Sequence, residues 1–153
     1  MPVPGKPSAR EAQVSLVLQV PGAEPADAES HFLNRLAVET DPSDVHADLG
    51  KGVAGFLVVD CRGPDAYAAG HVPGALSVPY RTIAQRAATV PRDKLLVLYC
   101  TGPHCNASTK AAVQWAALGY RVKEMIGGLW GWQQEGYPLE TGAAKVPPTL
   151  ARI

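Results

Sequence analysis

The chain has 153 residues, with 14 basic and 14 acidic side chains, a balance that argues against a nucleic-acid or anionic-membrane binder. That length suits one domain with a short appendage, able to bury about two thirds of its unfolded surface without a metal or disulfide framework. The longest apolar run near the start, 14–20, is interrupted by Ser15 and Gln19; it is too short and too polar for a signal-peptide core or a bilayer span. The expectation is a soluble, cytoplasmic protein.

In chain order, residues 1–25 are expected to form a flexible N-terminal segment. Positions 1–8 hold Pro2, Pro4, Gly5 and Pro7 and read as a mobile tail, while 9–20 suits either a short strand or an amphipathic segment. Over 26–36 the apolar residues Ala28, Phe32, Leu33 and Leu36 recur at helical spacing. Asp41 and Ser43 precede a second short helix at 44–49, which Gly50 and Gly52 stop.

From there the chain alternates between strand and helix. The continuously apolar stretch 56–59 reads as a strand buried on both faces of a parallel sheet. A helical turn over 64–69 follows, then a loop marked by Gly70, Pro73 and Gly74, and a candidate helix at 81–88. Residues 95–99 form a second buried strand, 107–118 a helix ended by Gly119, and 121–125 a third strand. Gly127 and Gly128 turn the chain into a last helix at 130–135, closed by Gly136 and Pro138. The tail 141–153 carries no pattern. The fold class is therefore α/β, a parallel sheet between helical layers in one domain at 26–140, with an N-terminal helical extension.

Cys61, Cys100 and Cys105 make an odd cysteine count, which argues for free thiols rather than a disulfide scaffold. His104 beside Cys105 is the only hint of a soft-metal pair, and two adjacent ligands do not make a site; no metal and no cofactor are expected.

Cys100 directly follows a central strand, and ligands of such sheets bind at the strands' carboxyl ends. The segment after it is turn-rich. Gly102 lets the backbone curl, Pro103 fixes a bend, and Asn106 or Ser108 can cap the helix. If the loop wraps back, its amides form an anion nest that holds a cysteine sulfur as thiolate, the nucleophilic form. The plainer alternative is a cysteine used as a small core hydrophobe.

Three stretches resemble the rhodanese-like sulfurtransferase family. VVDCRGPDAYAAGHVPGALSVPY (58–80) is similar to its D-x-R…Y-x-x-G-H-[IV]-P-G-A segment. LYC, with its loop and alanine-rich helix, is similar to its active-site segment, and KEMIGGLWGWQQEGYP (123–138) to its closing G-G-x-x-x-W segment. HFLNRLAVETDPSDV (31–45) resembles the N-terminal extension of a bacterial single-domain subgroup with a CxGPxCN loop.

The resemblance implies a thiol that accepts a sulfane sulfur, holds it as a persulfide, and passes it to a thiol, a protein acceptor or cyanide. Cys100 matches the family's active-site cysteine. Thr101, Gly102, Pro103, His104, Cys105, Asn106 and Ala107 match the loop whose amides would cradle the persulfide. Asp60, Arg62 and His71 are supporting residues, read mainly as an ion pair or loop fixture (Asp60, Arg62) and a partner for backbone groups (His71). Cys61 is read as buried filling, and Trp130 and Trp132 as closing the core.

Two departures from the family pattern matter. The loop carries about two extra residues, and it lacks the arginine or lysine that often binds an anionic donor. Only a protonated His104 supplies positive charge within it, so a small persulfide is expected to be a better donor than thiosulfate. A phosphatase or arsenate reductase would need an arginine closing C-x5-R to clamp an oxyanion, and Asn106 stands there. The remaining alternatives are a thiol–disulfide switch between Cys100 and Cys105 and a silent fold used for binding.

Overall fold

A computed structural model describes residues 5–145. The parts of the expected N-terminal segment and C-terminal tail at 1–4 and 146–153 lie outside the described residues. The chain divides into two compact units, Met1–Leu36 and Ala37–Ile153.

The first unit is helical. Helix α1 (Ala9–Val14) starts at a capping box, in which Ser8 Oγ accepts from the Glu11 amide (3.2 Å) and Glu11 Oε2 from the Ser8 amide (2.8 Å). The strand alternative for 9–20 thus gives way to a short helix followed by turns. Helix α2 (Pro25–Val38) has the expected 3.6-residue spacing, yet none of its residues is buried. Phe32, Leu33 and Leu36 are all exposed.

The second unit carries a five-stranded, fully parallel sheet in the order β1-β5-β4-β2-β3. Its strands are β1 (Glu39–Thr40), β2 (Phe56–Asp60), β3 (Leu76–Ser77), β4 (Leu95–Tyr99) and β5 (Val122–Met125). The helices are α3 (Pro42–Gly50), α4 (Pro64–Ala69), α5 (Ile83–Arg86), α6 (Ala107–Ala117) and α7 (Gly128–Gln134). Alternation along β2 and β4 divides the core. Val59, Leu96 and Leu98 pack with Trp115 of α6 on one face, and Val58, Val97 and Tyr99 with Leu129 and Trp132 of α7 on the other. This is the expected α/β/α layering.

Boundaries differ where end chemistry decides them. Helix α3 begins at Pro42 because Asp41 Oδ1 accepts from the Asp44 amide at 2.8 Å. The helix expected at 81–88 is a four-residue α-turn between two 3₁₀ turns, Tyr80–Thr82 and Ala87–Thr89. Strands β1 and β3, two residues each, are too short to show a period in sequence. Among the described residues no helix is long and apolar enough to cross a membrane.

Candidate active site

Strand β4 sits third of five in the sheet, and Cys100 is the first residue beyond its carboxyl end. Position and burial follow from the same pairing: the Cys61 amide bonds Tyr99 O at 3.0 Å, so the ends of β2 and β4 stay side by side. Cys100 is buried but lines two clefts.

The loop after Cys100 is tight. The Cys105 amide donates to Gly102 O (3.1 Å), folding Cys105 back toward Cys100. Helix α7 holds the loop from outside, with the Leu129 amide donating to Cys100 O (2.9 Å) and the Trp130 amide to Thr101 O (2.9 Å). Gly128 makes that approach feasible. It sits at φ 57°, and a Cβ there would run into Cys100 O and lie 2.8 Å from Gly102 N.

The thiols of Cys100 and Cys105 interact and titrate as a unit. Burial pushes the Cys100 thiol up, as does its hydrogen bond with Cys105, against the lowering effect of the Thr101 amide and hydroxyl. The Cys105 thiol is pulled down, chiefly by the hydrogen bond from Cys100, then by the Ala107 and Thr101 amides and the Lys110 charge, against some burial. Of the loop amides, that of Thr101 acts on both sulfurs and that of Ala107 on Cys105. Cys61 is fully buried in the core, its thiol pushed up by burial and by the neighbouring Asp60 and Cys100 charges.

The first cleft, about 440 Å³, is bounded by Cys100, Cys105, His104 and Asn106 on one side and by Glu124 and Gly128 on the other. Glu124 accepts from Ser108 Oγ (2.9 Å) and Thr109 Oγ1 (3.0 Å). That bond overturns the capping expectation: Ser108 turns to Glu124, Asn106 occupies the cap position without a side-chain hydrogen bond, and α6 starts from backbone alone. The second cleft, about 390 Å³, is bounded by Cys61, Arg62, Tyr80, Arg81, Cys100 and Ala107 among others.

Asp60 and Arg62 are joined. Asp60 is fully buried; Oδ2 accepts from Arg62 Nη2 (2.7 Å) and Tyr99 Oη (2.7 Å), and Oδ1 from the Arg62 amide (2.9 Å). Arg62 Nη2 also reaches Gly70 O at 2.6 Å. His71 lies apart from both clefts. It is buried, stacked on Tyr67 at 3.6 Å, with Nδ1 bonded to Tyr67 O at 2.7 Å and its backbone paired with Glu140. Trp132 fills the core as expected, but Trp130 does not, being 53% exposed, because its amide rather than its ring is what the loop uses.

Sequence reasoning missed Arg81 and Glu124. Arg81 follows the short third strand, a carboxyl-end position that the general rule for parallel sheets marks. Glu124 is a carboxylate within a sheet strand, where an acid needs partners.

The rhodanese-like domain family matches residues 41–135. The chain is 38% identical over 90 residues to the thiosulfate sulfurtransferase GlpE of Pseudomonas entomophila, covering 57% of this chain and 78% of that protein. It is 34% identical over 84 residues to a sulfurtransferase of Allochromatium vinosum, covering 54% and 77%. With the HTH-type transcriptional regulator Rv0324 of Mycobacterium tuberculosis it shares 35% identity over 86 residues, 56% of this chain but only 38% of that regulator. Among solved structures, the BH2092 protein of Bacillus halodurans superposes with a TM-score of 0.75 at 40% identity, covering 77% of this chain and 87% of that one. A thiosulfate sulfurtransferase from Pseudomonas aeruginosa gives 0.60 at 30% identity, covering 69% of this chain and 20% of that one. A parallel sheet that ends on Cys100, a loop folded over its sulfur and a matching run from 41 to 135 have one origin: the chain belongs to the rhodanese-like domain family.

Proposed function

We propose that this protein is a cytoplasmic sulfurtransferase in which Cys100 accepts a sulfane sulfur as a persulfide and passes it to a thiol, a protein acceptor or cyanide. The observation that supports this best is the placement of Cys100, at the end of a central strand, open to two clefts and beside the Thr101 amide.

In the loading step the Cys100 thiolate attacks the outer sulfur of R–S–SH. A new S–S bond forms, the old one breaks, and R–S⁻ leaves with the bonding pair. The proton that Cys100 must lose passes to solvent through the clefts that its sulfur borders. The persulfide anion then rests against the Thr101 amide and hydroxyl, donors that favour negative charge on sulfur. Cyanide or a thiolate attacks the outer sulfur, and Cys100 departs as thiolate. Asp60 and Arg62 act on this site through the backbone they fix, and His71 holds the 67–71 turn.

Thiocyanate formation from a small persulfide and cyanide tests the reading. Cys100→Ser should abolish turnover, and Cys105→Ser should retain most single-turnover loading. A Cys100→Ser protein that still turns over, with sulfur on Cys105, would reverse the assignment. The interaction between the two thiols also favours a second reading, a disulfide switch, in which oxidation joins Cys100 to Cys105 and thiols reopen it. That reading requires a peptide carrying the linked pair after mild peroxide.

A further inference from the structure

We infer that the second cleft is the entry for sulfane donors with an anionic tail, and that Arg81 is the cation that selects them. The inference rests on the sulfurtransferase reading of Cys100.

The two clefts share only Cys100 and flank the end of β4 from opposite directions in the sheet. One borders β5 through Glu124 and Met125, and the other borders the end of β2 through Cys61 and Arg62. Their charges differ in sign. The first holds the Glu124 carboxylate, fixed by Ser108 and Thr109. An anion entering there meets like charge. The second holds two guanidinium groups, of which Arg62 is neutralised by Asp60 at 2.7 Å.

Arg81 is not neutralised. It is exposed, its Nε donates to Tyr80 Oη (3.1 Å), and its guanidinium carbon lies 5.4 Å from the Tyr80 ring centroid. Among the described residues no carboxylate pairs with it. The Tyr80 hydroxyl and ring orient the guanidinium and leave its terminal amino groups for a ligand. Tyr80, Pro79, Ala66 and Ala107 supply an apolar wall beside it. The cleft thus suits a short apolar body with a carboxylate or sulfonate at one end and a sulfane sulfur at the other. The cation absent from the loop is supplied by the neighbouring turn.

The chemistry is that of loading: Cys100 takes the outer sulfur, and the carboxylate-bearing thiolate leaves through the same cleft. The test compares kcat/KM for the persulfides of 3-mercaptopropionate and of cysteamine, whose tails match in length and oppose in charge. The wild-type protein should prefer the carboxylate donor. Arg81→Ala should lower that preference about fivefold, through KM more than kcat, as for a partly solvated charge contact. Arg81→Glu should reverse the preference, and Arg81→Lys should keep most of it. Rising salt should erode it in the wild type. The same preference in wild type, Arg81→Ala and Arg81→Glu would overturn the assignment while leaving sulfur transfer intact. A wild-type protein that takes sulfur from neither donor would overturn the underlying reading and the donor cleft with it.

Discussion

At the residue scale the decisive feature is the effect of Cys105 on the Cys100 thiol. A buried thiol alone resists ionisation because the thiolate loses its hydration. Here the hydrogen bond and charge of Cys105 push the Cys100 thiol further up, against the lowering effect of the Thr101 amide and hydroxyl. Cys105→Ala removes that influence and leaves the burial. The pH midpoint of Cys100 alkylation by iodoacetamide should therefore fall in Cys105→Ala, with the variant reacting at pH values where Cys100 of the wild type is still protonated. An unchanged midpoint would show that the two thiols do not influence each other. Sequence alone named Cys100 and placed Cys105 in its loop. The influence of Cys105 on the Cys100 thiol was not legible, because it depends on how the loop folds one sulfur toward the other.

At the scale of elements, the turn into α7 positions the loop as much as the loop does itself. Gly128 permits two α7 amides to bond Cys100 O and Thr101 O. Gly128→Ala should cost about 1–3 kcal/mol in backbone strain and also displace the Cys100–Gly102 backbone, so sulfur loading falls with stability. Gly127 offers a contrast. Its φ of 80° is equally strained for alanine, but its Cβ would approach Gly131 Cα (3.2 Å) and nothing of the Cys100 loop. Gly127→Ala should lower the melting temperature comparably and lose less loading. Equal losses of loading at equal stability would remove the special role of Gly128. The double glycine was legible as a tight turn; its approach to Cys100 was not, since that contact spans distant parts of the chain. Strand β4 and helix α6 were legible nearly to the residue, because a buried parallel strand is continuously apolar and a glycine ends the helix. The capping of α6 was misread because Glu124, far along the sequence, competes for Ser108.

At the scale of the whole sheet, Asp60 ties β2 to β4 from inside the fold. Its carboxylate holds Arg62 and Tyr99 at the ends of two adjacent strands, with no exposure to water. Asp60→Ala strands a nearly buried guanidinium and should destabilise the domain by about 3–5 kcal/mol, read by urea unfolding. Asp60→Asn should cost less, since the amide keeps acceptor geometry for one partner. A loss below about 1 kcal/mol in Asp60→Ala would mean the pair is screened as surface pairs are. The D-x-R spacing made this pair visible in sequence. The charge contrast between the two clefts was not, because Glu124 and Arg81 reach opposite sides of Cys100 only when β5 and β2 flank β4, with β3 beyond β2.

The central claim is that Cys100 carries transferable sulfur, and intact-mass measurement after incubation with a small persulfide tests it most directly. Reduced protein should gain the mass of one sulfur atom, peptide mapping should place it on Cys100, and cyanide should remove it with release of thiocyanate. Protein that stays at its reduced mass with both carboxylate- and ammonium-tailed donors, or that carries the added sulfur on a residue other than Cys100, would contradict the account.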